Sequence, residues 1–193
     1  QTDQQFIEHY CQLNPQKMVP TLVVPDNQAL TQSLSIIEYL DEIHPTPSLL
    51  PKDPEARAWL RSIAQIISCD IHPMSIMRIR KYLSSQQLAT EQQLLEWYHH
   101  WVNIGMQTLE TQLKHSNYRG HCCYGDQPTV ADIFLVPQIY NCQRFQCDTG
   151  AYPHIMQIYR YCQTLPAFQA AHPDQQPDKI EYDAPNSFSM KNY

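Results

Sequence analysis

Asn14-Pro15-Gln16-Lys17-Met18-Val19-Pro20-Thr21-Leu22-Val23-Val24-Pro25-Asp26-Asn27-Gln28-Ala29-Leu30-Thr31-Gln32-Ser33-Leu34-Ser35-Ile36-Ile37-Glu38-Tyr39-Leu40 decides the fold. Met18 to Val24 is a short run rich in β-branched residues, which fit a pleated strand. Pro25-Asp26-Asn27-Gln28 is turn chemistry: proline presets φ, and Asp and Asn tolerate left-handed backbone. Ala29-Leu30-Thr31 can then return as a second strand, so the stretch predicts a β-hairpin. Ser33 reads as the N-cap of the helix that follows, with Leu34, Ile36, Ile37, Leu40 and Ile43 as its apolar stripe. A two-stranded hairpin and one helix do not make a stable domain, so this piece needs more sheet from elsewhere.

Upstream, Phe6, Ile7, Tyr10 and Leu13 keep helical spacing within Thr2 to Leu13, and Asn14-Pro15 stops that helix. Downstream, Pro45, Pro47 and Pro51 mark an exposed, turn-forming linker. Beyond it every element reads as helix. Asp53-Pro54 is an N-cap followed by proline at the first helical position, opening a helix to about Ser68. A second helix begins near His72-Pro73 and carries Met74, Met77, Ile79 and Leu83. Thr90-Glu91-Gln92-Gln93 is a capping box opening a long helix to about Lys114, striped by Leu94, Tyr98, Trp101, Val102, Gly105, Leu109 and Leu113. Thr129-Val130-Ala131-Asp132 opens another, apolar enough in its first half to predict burial, with Pro137 inside it expected to kink it. Tyr152-Pro153 and Pro166-Ala167-Phe168 start the last two. The predicted domains are a partial α/β domain over residues 1–45, a linker over 46–53, an all-helical domain over 54–173 and an extended tail over 174–193.

Charge and composition narrow the function. A net charge of −6 argues against a nucleic-acid partner, which leaves a basic footprint. No apolar run is long enough to span a bilayer, and no secretory leader pattern is apparent. The four glycines, Gly105, Gly120, Gly125 and Gly150, form neither a dinucleotide fingerprint nor a phosphate loop. Seven scattered cysteines read as free thiols in a reducing compartment, hence a cytoplasmic protein. In His121-Cys122-Cys123 a metal would need a further ligand pair that the neighbouring sequence lacks, so the cluster reads as a buried segment and no metal is expected. The chain starts at Gln1 without an initiator methionine, which suggests that residues precede it.

Taken together, these segments resemble a known family. Asn14 to Pro20 is similar to the NPxxxVP segment of glutathione transferases, and Thr31 to Leu40 to their QSxxIIEYL segment. Asp70-Ile71-His72-Pro73, Val136-Pro137-Gln138, Asn141-Cys142-Gln143-Arg144-Phe145 and Leu165 to Pro173 narrow the resemblance to the zeta class. It covers nearly all of residues 4–178. It implies a glutathione transferase fold of class α/β plus all-α: a thioredoxin-like N-terminal domain, here without its first strand, first helix and second strand, then an all-helical C-terminal domain. The family's serine-rich catalytic motif belongs to that upstream part, so the catalytic residue is expected before Gln1 and none is assigned here.

The resemblance also implies the site. Val19-Pro20 would be a cis bond whose valine backbone pairs with the cysteinyl part of glutathione. Gln32 and Ser33 would bring the γ-glutamyl carboxylate to a helix N-terminus, where free N–H groups favour an anion; Ser33 as an ordinary N-cap is compatible with this. Gln5 corresponds to a glutamine near the glycine end of glutathione, or is a solvated surface residue. His72 and Arg78 would line the glutathione side of the helical domain, or serve as a capping histidine and a solvated arginine. Arg144 would face the substrate carboxylates, or form an interdomain salt bridge. Thr129 and Asp132 would be fold determinants. The implied activity is glutathione-dependent cis–trans isomerisation of 4-maleylacetoacetate to 4-fumarylacetoacetate in tyrosine and phenylalanine catabolism, by a homodimer with glutathione as recycled cofactor. Maleylpyruvate isomerisation, another zeta-class transfer or dehalogenation, and a non-catalytic interaction module are the alternatives.

Overall fold

Thr21–Val23 (β1) and Ala29–Thr31 (β2) pair antiparallel, with Leu22 opposite Leu30. The turn between them works as its residues suggest: Asp26 and Asn27 take left-handed φ of 72° and 59°, and the Val24 N–H bonds the Gln28 carbonyl at 2.9 Å. The computed structural model describes residues 4–177. Within the predicted first helix, Gln4–Phe6 form a 3-10 turn and only Glu8–Leu13 (α1) are α-helical; Thr2 lies outside the described residues. Ser33–Ile43 (α2) follows β2. After α2 the chain is drawn back, since the Asp41 carboxylate accepts from the Leu49 N–H at 2.6 Å and from Ser48 Oγ at 3.1 Å. Two compact units result, the first reaching Pro51 and the second starting at Lys52.

Among the described residues the second unit is built of helices: Pro54–Gln65 (α3), His72–Ser75 (α4), Met77–Ser85 (α5), Glu91–His115 (α6), Val130–Arg144 (α7), Pro153–Cys162 (α8) and Pro166–Ala171 (α9). Its starts are where the sequence puts them. Asp53 Oδ2 accepts from the Ala56 N–H at 2.8 Å, and Thr90 and Gln93 form a reciprocal capping box. The core lies where α3, α6, α7 and α8 meet, around Leu60, Tyr98, Val102, Leu135, Ile139 and Ile155. Pro137 sits inside α7 and leaves the helix unbroken. No helix among the described residues is long and apolar enough to cross a membrane.

Three sequence expectations are corrected here. The helix predicted to reach Ser68 stops at Gln65, and Ile66–Ile71 widen into a π-turn. The helix predicted from His72 is split, because Ile76 is extended (φ −68°, ψ 152°) between α4 and α5. The predicted tail begins turned rather than extended: Pro173–Gln175 form a 3-10 turn, and Tyr140 Oη donates to Asp174 Oδ1 at 3.1 Å. Beyond residue 177 the predicted tail lies outside the described residues.

The π-turn packs against α6 at a glycine. A Cβ on Gly105 would lie 2.2 Å from Ile71 Cγ1 and 2.5 Å from Cδ1, and Ile71 is fully buried. Gly105→Ala therefore destabilises the protein by about 1–3 kcal/mol through overpacking, less up to about 1 kcal/mol regained in helix propensity. Ile71→Ala alone leaves a cavity costing about 2–5 kcal/mol. The double variant is expected to be more stable than the sum of the two, since each change accommodates the other. Strict additivity in denaturant melts would deny the contact.

Candidate functional site

In the first unit the turn from Asn14 to Thr21 is held by one buried amide. Asn14 is 1% exposed; its Nδ2 donates to the Met18 carbonyl at 2.8 Å and to Thr21 Oγ1 at 3.1 Å, and its Oδ1 accepts from the Gln16 N–H at 3.0 Å. Tyr10 Oη also donates to the Met18 carbonyl. These bonds fix the backbone on both sides of Val19-Pro20. That peptide is cis, as the sequence reading expects, and Thr46-Pro47 is cis as well. Val19, at the entry to β1, is 71% exposed. Gln5 lies in the 3-10 turn, half-buried, with its carbonyl 3.8 Å from Cys11 Sγ.

The start of α2 differs from expectation. Ser33 is not the N-cap; it is the first helical residue, and Gln32 takes the cap position at φ 72°, ψ 120°. The chain leaving β2 must reverse within one residue to enter α2, and Gln32 makes that reversal. Its side chain does not cap: Nε2 donates to Gln16 Oε1 at 3.0 Å instead. The first N–H groups of an 11-residue helix are therefore left without a side-chain cap, beside the turn that Asn14 holds. Such a terminus suits a carboxylate.

In the second unit His72 begins α4 and Arg78 lies on α5, both exposed. The His72 side chain reaches solvent, yet packing around the ring pushes its pKa below the ordinary 6.5 and favours the neutral imidazole. Arg144 ends α7, half-buried, with Cζ 5.1 Å from the centre of the Phe145 ring. A second arginine that the sequence reading passes over, Arg80 on α5, lies 5.1 Å from the same ring and is 2% exposed. Burial, and then the positive charge of Arg144, lower the Arg80 pKa. Phe145 is fixed from other sides too: Tyr98 packs on it at 4.5 Å between ring centroids, and His99 Nε2 is 2.7 Å from its carbonyl. The signal for Arg80 was its spacing, four residues after Ile76 and three before Leu83, on the inward side of α5.

The His121-Cys122-Cys123 segment is also more than its local sequence suggests. In space Cys122 meets Asp132 and Cys162, with ligand atoms within 4.8 Å of one another and all three residues buried. His121 turns away, 2.7 Å from Asp126 Oδ1 and stacked on Tyr161. The Asp132 carboxylate is already engaged: Oδ1 accepts from the Cys123 N–H at 2.8 Å, and Oδ2 from the Thr129 N–H at 2.8 Å and Thr129 Oγ1 at 2.6 Å. It acts as a helix cap that also binds the preceding loop.

Residues 2–48 match the family model of the glutathione S-transferase N-terminal domain. The chain is 39% identical over 175 residues to a probable maleylacetoacetate isomerase of Vibrio cholerae, covering 91% of this chain and 80% of that protein. It is 43% identical over 166 residues to a maleylpyruvate isomerase of a Ralstonia species, covering 86% of this chain and 78% of the relative. Among solved structures, a bacterial zeta-class maleylpyruvate isomerase in its holo form superposes with a TM-score of 0.87 at 40% identity, over 91% of this chain and 82% of the other. A maleylacetoacetate isomerase of Methylobacterium extorquens AM1, with malonate and GSH bound, superposes with a TM-score of 0.86 at 36% identity, over 93% and 84%. Fold, motifs and relatives agree along nearly the whole described chain, and the protein belongs to the zeta class of the glutathione transferases.

Proposed function

We propose that the protein is a glutathione-dependent cis–trans isomerase converting 4-maleylacetoacetate to 4-fumarylacetoacetate in tyrosine and phenylalanine breakdown. The similarity to relatives named maleylacetoacetate isomerase, 39% over 91% of the chain in the Vibrio cholerae protein, carries this reading. The residues fit the cofactor: an uncapped helix start lies next in sequence to an exposed strand entry, suited to a carboxylate and a peptide backbone respectively. When bound, glutathione supplies a thiolate that adds reversibly to the cis double bond, allowing rotation before elimination. Val19 and Pro20 present the backbone edge for its cysteinyl part. Gln32 and Ser33 offer N–H groups to the γ-glutamyl carboxylate. Gln5, His72 and Arg78 contribute further glutathione contacts, and Arg144 holds a carboxylate of the diacid by a charge-assisted fork. Domain limits at 1–45, 46–53 and 54–173, a homodimeric assembly and a cytoplasmic location complete the proposal; the seven free cysteines support the last.

Maleylpyruvate is a second reading, favoured by the Ralstonia relative at 43% identity. Both acids carry a cis-enedioic keto core, so the assay must compare them. The full-length protein with added glutathione is expected to isomerise maleylacetoacetate with a higher kcat/KM than maleylpyruvate; the opposite order would transfer the assignment, and no glutathione-dependent turnover of either would favour an interaction module. Asn14→Ala is expected to raise the glutathione KM about tenfold while leaving the diacid KM near its original value, because about 1–2 kcal/mol of turn geometry is lost on the cofactor side alone. An unchanged glutathione KM in a folded variant would detach this turn from the cofactor.

A further inference from the structure

Cys142 in the last turn of α7 and Cys147 just beyond its end take no part in the proposed isomerase chemistry. Helix α7 ends in a left-handed closure. Gln146 has φ 56°, its N–H bonds the Gln143 carbonyl at 3.1 Å, and the Cys147 N–H bonds the Cys142 carbonyl at 2.8 Å. This six-to-one bond sets residue 147 beside residue 142, where helix closures commonly place an apolar contact. Here the contact is thiol to thiol, and the two side chains hydrogen-bond each other. The backbone closure thus brings two cysteines side by side, the arrangement from which a disulfide can form.

The surroundings distinguish this pair from a passive packing contact. Cys142 is fully buried on α7, and Gln138, itself 2% exposed, aims its amide at Cys142 Sγ from one turn earlier, at 3.6 Å. The Cys147 thiol, the Gln138 amide and a backbone N–H thus all donate toward one sulfur, and they lower the Cys142 pKa against the opposing effect of burial. The same hydrogen bond and burial raise that of Cys147. Cys147 is half-buried, the more exposed residue of the two. The Cys122–Cys162 pair is an internal contrast: both sulfurs are buried, and Cys122 is pushed well up by its bond to Cys162, by burial and by Asp132.

We propose that Cys142 and Cys147 form a thiol–disulfide exchange site that takes glutathione disulfide as its oxidant. The Cys142 thiolate takes the Cys147 proton as the Cys147 sulfur attacks one sulfur of glutathione disulfide, forming a mixed disulfide and releasing one glutathione thiolate. That released thiolate takes the proton from Cys142, whose sulfur then attacks the Cys147 sulfur, closing the 142–147 disulfide and expelling the second glutathione thiolate. Two protein thiols lose two electrons and two protons, and one glutathione disulfide becomes two glutathiones. The buried, hydrogen-bonded Cys142 is thus the resolving nucleophile and the more exposed Cys147 the entry point. The site uses none of the residues assigned to the isomerase reaction and does not depend on that assignment.

The test is a set of glutathione redox buffers of fixed total concentration, applied to the folded full-length protein. Free thiols are then alkylated in denaturant and mapped by peptide mass. In the unsubstituted protein, residues 142 and 147 are expected to lose alkylation together, with a mass loss of two hydrogens and no retained glutathione. Cys122 and Cys162 are expected to stay alkylatable. Cys142→Ser is expected to trap glutathione on Cys147. Cys147→Ser is expected to slow the oxidation of Cys142 by about tenfold or more, since its thiolate then lacks a relay. Stable glutathione on Cys147 of the unsubstituted protein would overturn the proposal. So would full alkylation of both residues in buffers that modify the exposed Cys69, and equal oxidation of Cys122 and Cys162 under the same conditions. The decisive readings come from the unsubstituted protein and need no variant to fold.

Discussion

Asp132→Ala is expected to lower the stability of the protein by about 3–5 kcal/mol, because it leaves several buried donors without partners at about 1–3 kcal/mol each. Asp132 is 0% exposed and accepts from three donors: the Cys123 N–H of the preceding loop, the Thr129 N–H at the N-cap, and the Thr129 hydroxyl. An alanine removes every one of these acceptors. The loss falls on α7, whose first turns are packed in the core. For a chain of this size the melting midpoint is expected to fall by on the order of 10 °C. Thr129→Ala removes only the hydroxyl half of the cap and is expected to cost about 0.5–2 kcal/mol. Asp132→Asn keeps one carbonyl acceptor and is expected to lie between the two. If Asp132→Ala changes stability by less than Thr129→Ala in denaturant melts, the carboxylate is not the organising group of this helix start.

The sequence discloses such caps because capping is local chemistry. Asp53, Thr90 and Thr129 each stand three residues before the donor or partner they need, and all three helices begin there. The hairpin is legible for the same reason: Asp26 and Asn27 tolerate the left-handed turn that the register demands. The reading of Ser33 failed because the competing partner is distant in sequence. Gln16 holds the Gln32 side chain across 16 residues, and the reversal out of β2 moves the cap back by one residue. The close packing of Ile71, at the end of the π-turn, on Gly105 was invisible because the partner lies one helix away. Arg80 escaped because arginine reads as a surface residue, and only the packing of α5 and α7 around Phe145 buries it. The glutathione-side residues came from resemblance to a family rather than from spacing; the structure adds the mechanical reason, in Asn14, for the shape of the segment that carries Val19 and Pro20.

Arg144→Ala is expected to raise KM for the diacid and lower kcat/KM by roughly ten- to a hundredfold, with the glutathione KM little changed. The magnitude is that of one charge-assisted hydrogen bond, about 1.5–3 kcal/mol. Two features of the structure bear on it. Arg144 is half-buried at the end of α7, where a guanidinium is partly desolvated and its fork is worth more than on an open surface. Its guanidinium lies over the Phe145 ring, which Tyr98, His99 and Arg80 hold in place, so the fork is positioned before any substrate arrives. Arg80 on the same ring adds positive charge that a carboxylate near Arg144 would experience as attraction and that Arg144 alone experiences as repulsion. Removing the Arg144 charge removes the anion-binding group, so the loss is expected in the diacid kinetics. Arg144→Lys keeps the charge without the planar fork and is expected to recover only part of the loss. A purely structural arginine gives the reverse pattern, a lowered melting midpoint with diacid kinetics intact, and that result would return Arg144 to the role of a packing residue on Phe145.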